Sequence, residues 1–292
     1  MEKSPLLEPK FLRKLEYLSL VSRRVHRGSI RGEHCVYRRG SSLEFSDYRN
    51  YQAGDDIRYL DWNLYSRLDK LFIKQFITEE DLTIHLLIDT SASMSSGEKM
   101  EYARKVAAAL GYIGIINLDR VGVSTFASGL KVSLPPQRSR QQIFSLFKFL
   151  EGVTTAGETS FNQSMLAYSK LYKRPGLAII ISDLLDAHGF EQGLKELLYR
   201  KFDIVLIQIL SEEEIEPQFY GDARLIDLET GALRSLLIDK QVLKFYHDRL
   251  FQFFKRIEEF SLERGIEYLR TSTVVPFEDL ILKYLSQGLH LR

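Results

Sequence analysis

The 292-residue sequence predicts an α/β fold with a doubly wound, mostly parallel sheet. From about residue 81 onward, short apolar segments alternate with segments of helical periodicity, as expected when helices cover both faces of a parallel sheet. A composition of 45% hydrophobic and 27% charged residues, with a formal net charge of +1, is that of an ordinary globular protein with a sizeable core. Oxygen-bearing side chains follow two of the apolar segments, at the ends where such a sheet binds ligands.

Short apolar runs predict the strands, and apolar residues spaced by three and four predict the helices. The predicted strands are 82–88, 120–126, 130–134, 177–181, 204–210 and 266–270, and the predicted helices are 98–116, 139–150, 162–172, 190–200, 242–264 and 276–286. Pro135 and Pro136 are expected to end the third strand. An acidic loop at 212–217 and a β-hairpin made of 223–228 and 232–238 interrupt the alternation, so we interpret residues from about 212 to 240 as an insertion.

Residues 1–80 are expected to form an N-terminal helix/strand extension that packs on the α/β domain of residues 81–292. Apolar residues recur at helical spacing from 9 to 24. Further on, Arg49, Arg58 and Arg67 lie among Asp and Tyr side chains, and each could hold a carboxylate through two hydrogen bonds. Between these two parts runs a basic stretch containing Arg23, Arg24, Arg27, Arg31, Arg38 and Arg39.

Asp89, Ser91 and Ser93 alternate directly after the apolar strand 82–88. Alternate side chains of an extended or turning segment can converge on one point. One carboxylate and two hydroxyls are hard oxygen ligands, which suit Mg²⁺ or Mn²⁺. Since hydroxyls are neutral, the cation would seek a further carboxylate. The structural alternative is a cluster of N-cap residues at the start of the next helix.

Two further loops could contribute oxygen ligands at the same edge of the sheet. Thr159 lies in a Thr- and Gly-rich loop before a helix, and Asp183 lies just past the strand 177–181. Helix capping is the structural alternative for both residues. The candidate metal ligands are therefore Asp89, Ser91, Ser93, Thr159 and Asp183.

The pattern Asp-x-Ser-x-Ser after a strand resembles the metal-ion-dependent adhesion site of von Willebrand factor A domains. This resemblance implies a sheet of the von Willebrand factor A, Rossmann-like type. It also implies that Ser91, Ser93 and Thr159 contact the cation directly, whereas Asp89 and Asp183 act partly through water.

A second set of residues is similar to domain-of-unknown-function family fifty-eight. The set comprises Arg49, Tyr51, Gly54, Asp55, Arg58, Asp61, Trp62, Arg67 and Lys74, followed by Glu79, Glu80 and the segment 89–94. Ser66 stands where the family often has alanine. These prokaryotic proteins contain a von Willebrand factor A-like domain and are typically encoded beside a MoxR-type AAA+ ATPase. The resemblance therefore implies that residues 1–80 are specific to the family and that such an ATPase is the partner.

Together these features predict a non-enzymatic protein-interaction module. A bound Mg²⁺ or Mn²⁺ would accept a Glu or Asp of a protein partner as its last ligand, and such an open site often holds its cation weakly without the partner. The longest mostly apolar run, Val106–Leu118, is well short of the ~20 residues of a membrane helix. The N-terminus does not resemble a secretory signal, and Cys35 is the single cysteine, so we expect a cytoplasmic protein without a membrane span.

Two other function classes are alternatives. A metal-dependent hydrolase or phosphatase would need a base, for which Glu158 and Asp186 are the candidates. However, Ser91 stands where a haloacid-dehalogenase-type phosphatase has its second aspartate, and the sequence contains neither a P-loop nor a Gly-x-Ser-x-Gly elbow. Nucleic-acid binding through the basic N-terminal stretch would weaken steeply with salt. No reader motif accompanies that stretch, so we expect no nucleic-acid partner. Because the phosphatase and hydrolase motifs are missing as well, we expect no catalytic residues.

Overall fold

The computed structural model describes residues 6, 8–29, 43–52, 55–78, 82–229 and 231–286. They form two compact units: residues up to 29 together with those from 82 onward make the larger unit, and residues between 30 and 81 make the smaller one. The first helix belongs to the larger unit, although its position in the chain suggested a place with the rest of residues 1–80.

Helices and strands alternate through most of the larger unit, and the smaller unit contributes one helix, α2, and two strands, β1 and β2. The helices are α1 (Pro9–Ser29), α2 (Trp62–Leu68), α3 (Lys99–Ile116), α4 (Gln142–Glu151), α5 (Phe161–Leu171), α6 (Glu191–Tyr199), α7 (Glu212–Ile215), α8 (Lys240–Glu263) and α9 (Phe277–Ser286). The strands are β1 (Leu43–Asn50), β2 (Phe72–Thr78), β3 (Thr83–Asp89), β4 (Arg120–Phe126), β5 (Leu130–Gln137), β6 (Leu177–Ser182), β7 (Asp203–Leu210), β8 (Gly221–Ile226), β9 (Leu233–Ile238) and β10 (Glu267–Ser272). No helix within the described ranges has the length and apolar character needed to cross a membrane.

Six strands of the larger unit form one sheet in the order β10-β7-β6-β3-β4-β5. Neighbouring strands are parallel, except that β5 runs antiparallel to β4. This confirms the predicted α/β fold with a mostly parallel sheet. The chain leaves β3 toward β4 on one side and returns with β6 on the other. The strand order therefore reverses between β3 and β6, and the carboxyl ends at such a reversal flank the crevice where open α/β sheets bind ligands.

The sheet carries an apolar core on each face, because successive side chains of a buried strand point in opposite directions. In β3, Leu86 and Ile88 belong to the core covered by α1, α3, α4 and α9, whereas Leu87 belongs to the core covered by α5, α6 and α8. Helix α1 packs on α3 and α9, with the ring of Phe11 5.4 Å from that of Phe277. Helices thus cover both faces, as the alternating sequence pattern predicted.

The prediction that two prolines end β5 was wrong. Strand β5 runs through Pro135 and Pro136 to Gln137. It is the outermost strand of the sheet, and an edge strand has one side whose backbone groups need no partner strand. Proline is tolerated there although it cannot donate a hydrogen bond.

The acidic segment 212–217 was predicted as a loop, but it contains α7. A capping box starts this helix: the Glu214 backbone N–H donates to Ser211 Oγ over 3.2 Å, and the Ser211 N–H donates to the Glu214 carboxylate over 2.8 Å. The predicted hairpin follows as the antiparallel pair of β8 and β9.

In the smaller unit, α2 lies in sequence between the antiparallel strands β1 and β2. Asp61 caps α2, accepting hydrogen bonds from the N–H groups of Asn63 and Leu64 at 2.9 and 3.1 Å. Its carboxylate also accepts from Tyr48 Oη at 2.9 Å and pairs with Lys74 Nζ at 3.1 Å. The N–H of Leu64, followed by Tyr48, lowers the pKa of Asp61 to about 2. Asp61 therefore ties both strands to the start of the helix.

Two of the three motif arginines form ion pairs in the smaller unit. Arg49 holds Asp55 through two hydrogen bonds of 2.7 and 2.5 Å, and Arg58 pairs with Asp56 at the surface. Arg67 is exposed, and no ion pair to it is seen within the described part of the chain. Trp62 begins α2 with 62% of its surface exposed. The motif residue Gly54 and three arginines of the basic stretch, Arg31, Arg38 and Arg39, lie outside the described residues.

His85 lies in the middle of β3 and is 1% exposed. Its Nδ1 is 2.6 Å from Tyr168 Oη, and its ring packs edge-on against Tyr168, Tyr172 and Phe202. Burial lowers the pKa of His85 from 6.5 to about 4, because the imidazolium ion would lose its hydration. The histidine is thus a neutral member of the core.

We expect His85 to make the protein less stable in mild acid. Between pH 6.5 and about 4 the unfolded chain takes up a proton that the folded core rejects, so the free energy of unfolding falls as the pH falls. From pH 8 to pH 5 this residue alone should account for about 2 kcal/mol. Urea denaturation of His85→Phe should lack that part of the pH dependence, whereas the exposed His188→Gln should keep it. An equal pH dependence in wild type and His85→Phe would contradict the assignment.

Candidate metal site

Asp89 is the last residue of β3, and it is fully buried at the reversal of strand order. Its two carboxylate oxygens accept hydrogen bonds from different parts of the chain. Oδ1 accepts the N–H of Ser91 at 2.9 Å, and Oδ2 accepts the hydroxyl of Ser182 at 2.6 Å, from the end of the neighbouring strand β6. Because β3 and β6 are parallel neighbours, the polar residues at their carboxyl ends meet at one edge of the sheet.

Ser91 and Ser93 lie in a short 3₁₀ turn that follows Asp89, with Ser91 at its N-cap position. The Ser91 side chain makes no capping hydrogen bond, although the capping alternative for this cluster assigns it that role. Instead, the two serine Oγ atoms are 2.9 Å apart. This is an ordinary hydrogen bond between the two hydroxyls, and its length also matches the roughly 2.9 Å between adjacent ligands of an octahedral ion with bonds of 2.0–2.1 Å, so the pair could bind Mg²⁺ without rearranging.

The loop carrying Thr159 is bound to the serine turn through the backbone. The Ala92 N–H donates to Gly157 O, and the Ala156 N–H donates to Thr90 O, both over 2.9 Å. Thr159 does not cap α5. Its hydroxyl donates to Glu229 Oε1 at 2.7 Å, and its backbone N–H donates to Glu229 Oε2 at 3.1 Å.

The capping role at α5 belongs to Asp186, which was considered from the sequence as a possible base. Asp186 Oδ2 accepts the N–H of Phe161, the first residue of α5, at 2.8 Å, and Oδ1 accepts the N–H of His188 at 2.7 Å. Both carboxylate oxygens are thus engaged in holding the loop. The other possible base, Glu158, is exposed.

Asp183 follows β6 and forms part of a buried ion-pair cluster. Its Oδ2 accepts from Lys99 Nζ at 2.7 Å, and the same ammonium donates to Glu214 Oε1 at 2.5 Å. Asp183 Oδ1 accepts the N–H of Leu185 at 3.1 Å, and Gln208 Nε2 donates to its backbone carbonyl at 2.9 Å. The cluster joins the start of α3 with the ends of β6 and β7.

Carboxylates outnumber ammonium groups at this edge of the sheet. Lys99 pairs with Asp183 and Glu214, whereas the nearby Asp89 carboxylate faces the charge of Asp183. Burial raises the pKa of Asp89 above its usual value, and the negative charge of Asp183 adds to that effect. Burial by itself would lower the pKa of Lys99, but Asp183 and Glu214 outweigh it and raise that pKa. A divalent cation beside Asp89 would offset the excess negative charge.

The donor set fits a hard cation that is held mainly by hydroxyl groups. Within the described residues, no three His, Cys, Asp or Glu side chains converge in a way that could hold a metal ion. The serine pair and Thr159 supply hydroxyl oxygens, and Asp89 supplies the buried negative charge. Such a set suits Mg²⁺ or Mn²⁺ better than zinc, which takes Cys and His ligands.

Four residues at this edge of the sheet were missed from the sequence. They are Lys99, Ser182, Glu214 and Glu229. The Ser-x-x-Glu spacing of Ser211 and Glu214 is a capping-box signal that predicts α7 and so places Glu214 at a helix start. No local pattern distinguishes Lys99 or Glu229 from an ordinary surface charge.

Comparisons with known proteins give a family and several relatives. A family model described as "Protein of unknown function DUF58" matches residues 47–251. Uncharacterized protein Rv1480 of Mycobacterium tuberculosis is 27% identical over 239 residues, which cover 80% of this chain and 75% of the relative. Uncharacterized protein Mb1516 of Mycobacterium bovis gives the same values. Among solved structures, conserved hypothetical protein BatB from Bacteroides thetaiotaomicron is 15% identical with a TM-score of 0.46, over 71% of this chain and 98% of that one.

Proposed function

We propose that this chain, which belongs to the DUF58 family of proteins of unknown function, acts as a protein-interaction module through a metal-ion-dependent adhesion site. In this proposal its larger unit is a von Willebrand factor A-like domain. The cation lies at the carboxyl ends of β3 and β6, and an acidic side chain of a partner protein completes its coordination. The module performs no catalysis of its own.

One observation carries the proposal: the hydroxyl pair of Ser91 and Ser93 lies directly after the fully buried carboxylate of Asp89. The serine side chains do not serve as helix caps, and their oxygens have the spacing of adjacent ligands around Mg²⁺. Burying a carboxylate without a cationic partner is costly. A bound cation supplies that partner and gives the hydroxyl pair a function.

The candidate residues contact the proposed cation in two ways, either directly or through water. Ser91, Ser93 and Thr159 bind it directly, whereas Asp89 and Asp183 act partly through water. Asp183 suits an outer role because Lys99 already occupies its Oδ2. With neutral hydroxyls as inner ligands, Mg²⁺ or Mn²⁺ keeps much of its positive charge, and a partner carboxylate is an effective further ligand.

The proposed partner is a MoxR-type AAA+ ATPase or a protein on which that ATPase acts, and the proposed location is the cytoplasm. The support for this partner is the similarity of motif residues in both units to the family. The proposal that the protein is not an enzyme is supported by the engagement of Asp186 at the start of α5, which leaves that carboxylate unsuited to act as a general base.

Metal-dependent capture of a partner tests this function. Tagged wild-type protein should retain a partner from native lysate of its own host with Mg²⁺ and lose it with EDTA, and Ser93→Ala should lose it in both conditions. Ser95→Ala is the matched control, because Ser95 lies in the same turn but its hydroxyl donates to Ala92 O. Capture that is equal with Mg²⁺ and EDTA, or equal in wild type and Ser93→Ala, would contradict the proposal.

A further inference from the structure

We infer that Glu229 is an internal ligand of the proposed cation, and that it holds the place of the partner's acidic side chain until a partner displaces it. Glu229 lies in the loop between β8 and β9. The inference rests on the proposed function, since it assigns a further ligand and a form of regulation to the same metal site.

Glu229 holds its carboxylate against a proposed cation ligand. The Thr159 hydroxyl donates a hydrogen bond of ordinary length, 2.7 Å, to Glu229 Oε1, which brings the two oxygens close enough to become adjacent ligands of one octahedral ion. The second carboxylate oxygen accepts the Thr159 N–H at 3.1 Å. Glu229 therefore presents a carboxylate oxygen beside the hydroxyl that binds the cation in the proposed site.

Hydrogen bonds within the hairpin loop fix the position of Glu229. Asp227 Oδ1 accepts the N–H of Glu229 at 2.9 Å, which is a side-chain turn that fixes the backbone before it. The loop closes through backbone hydrogen bonds from the Gly231 N–H to Asp227 O and from the Asp227 N–H to Ala232 O. Gly231 has a positive φ of 70°, which glycine adopts without strain. The position of Glu229 is thus determined within the hairpin itself.

The strands of the hairpin are held loosely by the rest of the larger unit. Of the residues in β8 and β9, only Ile238 is buried, and apolar residues such as Ile226 and Leu233 are more than 60% exposed. Segments with few buried apolar contacts open at low free-energy cost. The hairpin can therefore move away from Thr159 without disturbing either core of the sheet.

In this inference, Glu229 occupies the partner's coordination position whenever no partner is bound. A partner carboxylate must compete with Glu229 for the same coordination position, so its apparent affinity equals its intrinsic affinity multiplied by the fraction of molecules in which the hairpin is open. Anything that binds the exposed apolar residues of the hairpin in its open position would raise that affinity. Regulation of this kind needs no change in the sheet or in the serine turn.

Cation binding by the isolated full chain tests the inference without a partner. Mn²⁺ titration followed by electron paramagnetic resonance should give a dissociation constant roughly 10- to 100-fold weaker for Glu229→Gln than for wild type. Glutamine keeps a hydrogen-bond acceptor for Thr159 but loses the negative charge. Asp222→Asn is the matched control, because it removes one exposed negative charge from β8 of the same hairpin and should bind Mn²⁺ like wild type.

Hydrogen exchange of the hairpin provides a second readout. Added Mg²⁺ should slow amide exchange in β8 and β9 of wild type and have little effect on these strands in Glu229→Gln. Equal or tighter Mn²⁺ binding by Glu229→Gln would overturn the inference and leave the proposed metal site standing. Wild-type protein that binds no Mn²⁺ would overturn both.

Discussion

Lys99→Met should lower the free energy of unfolding by about 3–5 kcal/mol, the largest loss of stability expected from any single change discussed for this protein. The ammonium group of Lys99 is fully buried and lies between the carboxylates of Asp183 and Glu214, at 2.7 and 2.5 Å. Without it, two carboxylates with restricted access to water repel each other, and among the described residues no other cationic side chain pairs with them. Urea denaturation near pH 7.5 would measure the loss.

Two further variants separate the ion-pair cluster from general effects on α3. Lys105→Met lies on the same helix but removes a pair with Glu101 in which both side chains are partly exposed, so it should change stability by less than about 1 kcal/mol. The triple variant Lys99→Met, Asp183→Asn, Glu214→Gln should recover part of the lost stability, because it also removes the charges left behind. A Lys99→Met variant as stable as Lys105→Met would show that the buried cluster does not stabilise the fold.

Asp89→Asn should weaken Mn²⁺ binding by roughly 100-fold or more. Asparagine keeps the size of the side chain and a carbonyl oxygen for the Ser91 N–H, and the Ser182 hydroxyl can rotate to accept from its NH2 group, but asparagine cannot supply the negative charge next to the serine pair. In the absence of metal, the same variant should be at least as stable as wild type at pH 8. The reason is that the buried Asp89 carboxylate faces the charge of Asp183, while no cationic side chain pairs with Asp89 among the described residues.

Mn²⁺ titration and urea denaturation without metal, carried out on the same preparations, distinguish binding from folding. Glu213→Gln is the matched control, because it removes an exposed negative charge from the neighbouring helix α7. Unchanged Mn²⁺ affinity in Asp89→Asn would place the cation elsewhere in the molecule. A large loss of metal-free stability would instead make Asp89 a structural residue of the sheet edge.

The strands and helices of the larger unit could largely be predicted, because each depends mainly on the pattern of apolar and polar residues within its own segment. Strand β4 has the predicted bounds of 120–126, and the other predicted elements from residue 81 onward end within three residues of their observed positions. Hydrophobic periodicity reports which face of each segment is buried, and this depends on neighbours a few residues away. The two wrong predictions have different causes. Whether prolines end β5 depends on the place of that strand at the edge of the sheet, which is a tertiary property, whereas α7 follows from the local capping box of Ser211 and Glu214.

The alternation of strands and helices, and the placement of Asp89, Ser91 and Ser93 after β3, can be predicted from the chain because period and spacing are properties of nearby residues. Which charged and polar groups meet at that edge of the sheet is seen only in the folded molecule. Lys99 pairs with Asp183 and Glu214, which are 84 and 115 residues away in the sequence, and Thr159 donates to Glu229, which is 70 residues away. Such pairs form because strand order and the hairpin bring distant segments together. There, buried charged and polar groups need partners, and no local sequence pattern shows which distant residue will be that partner.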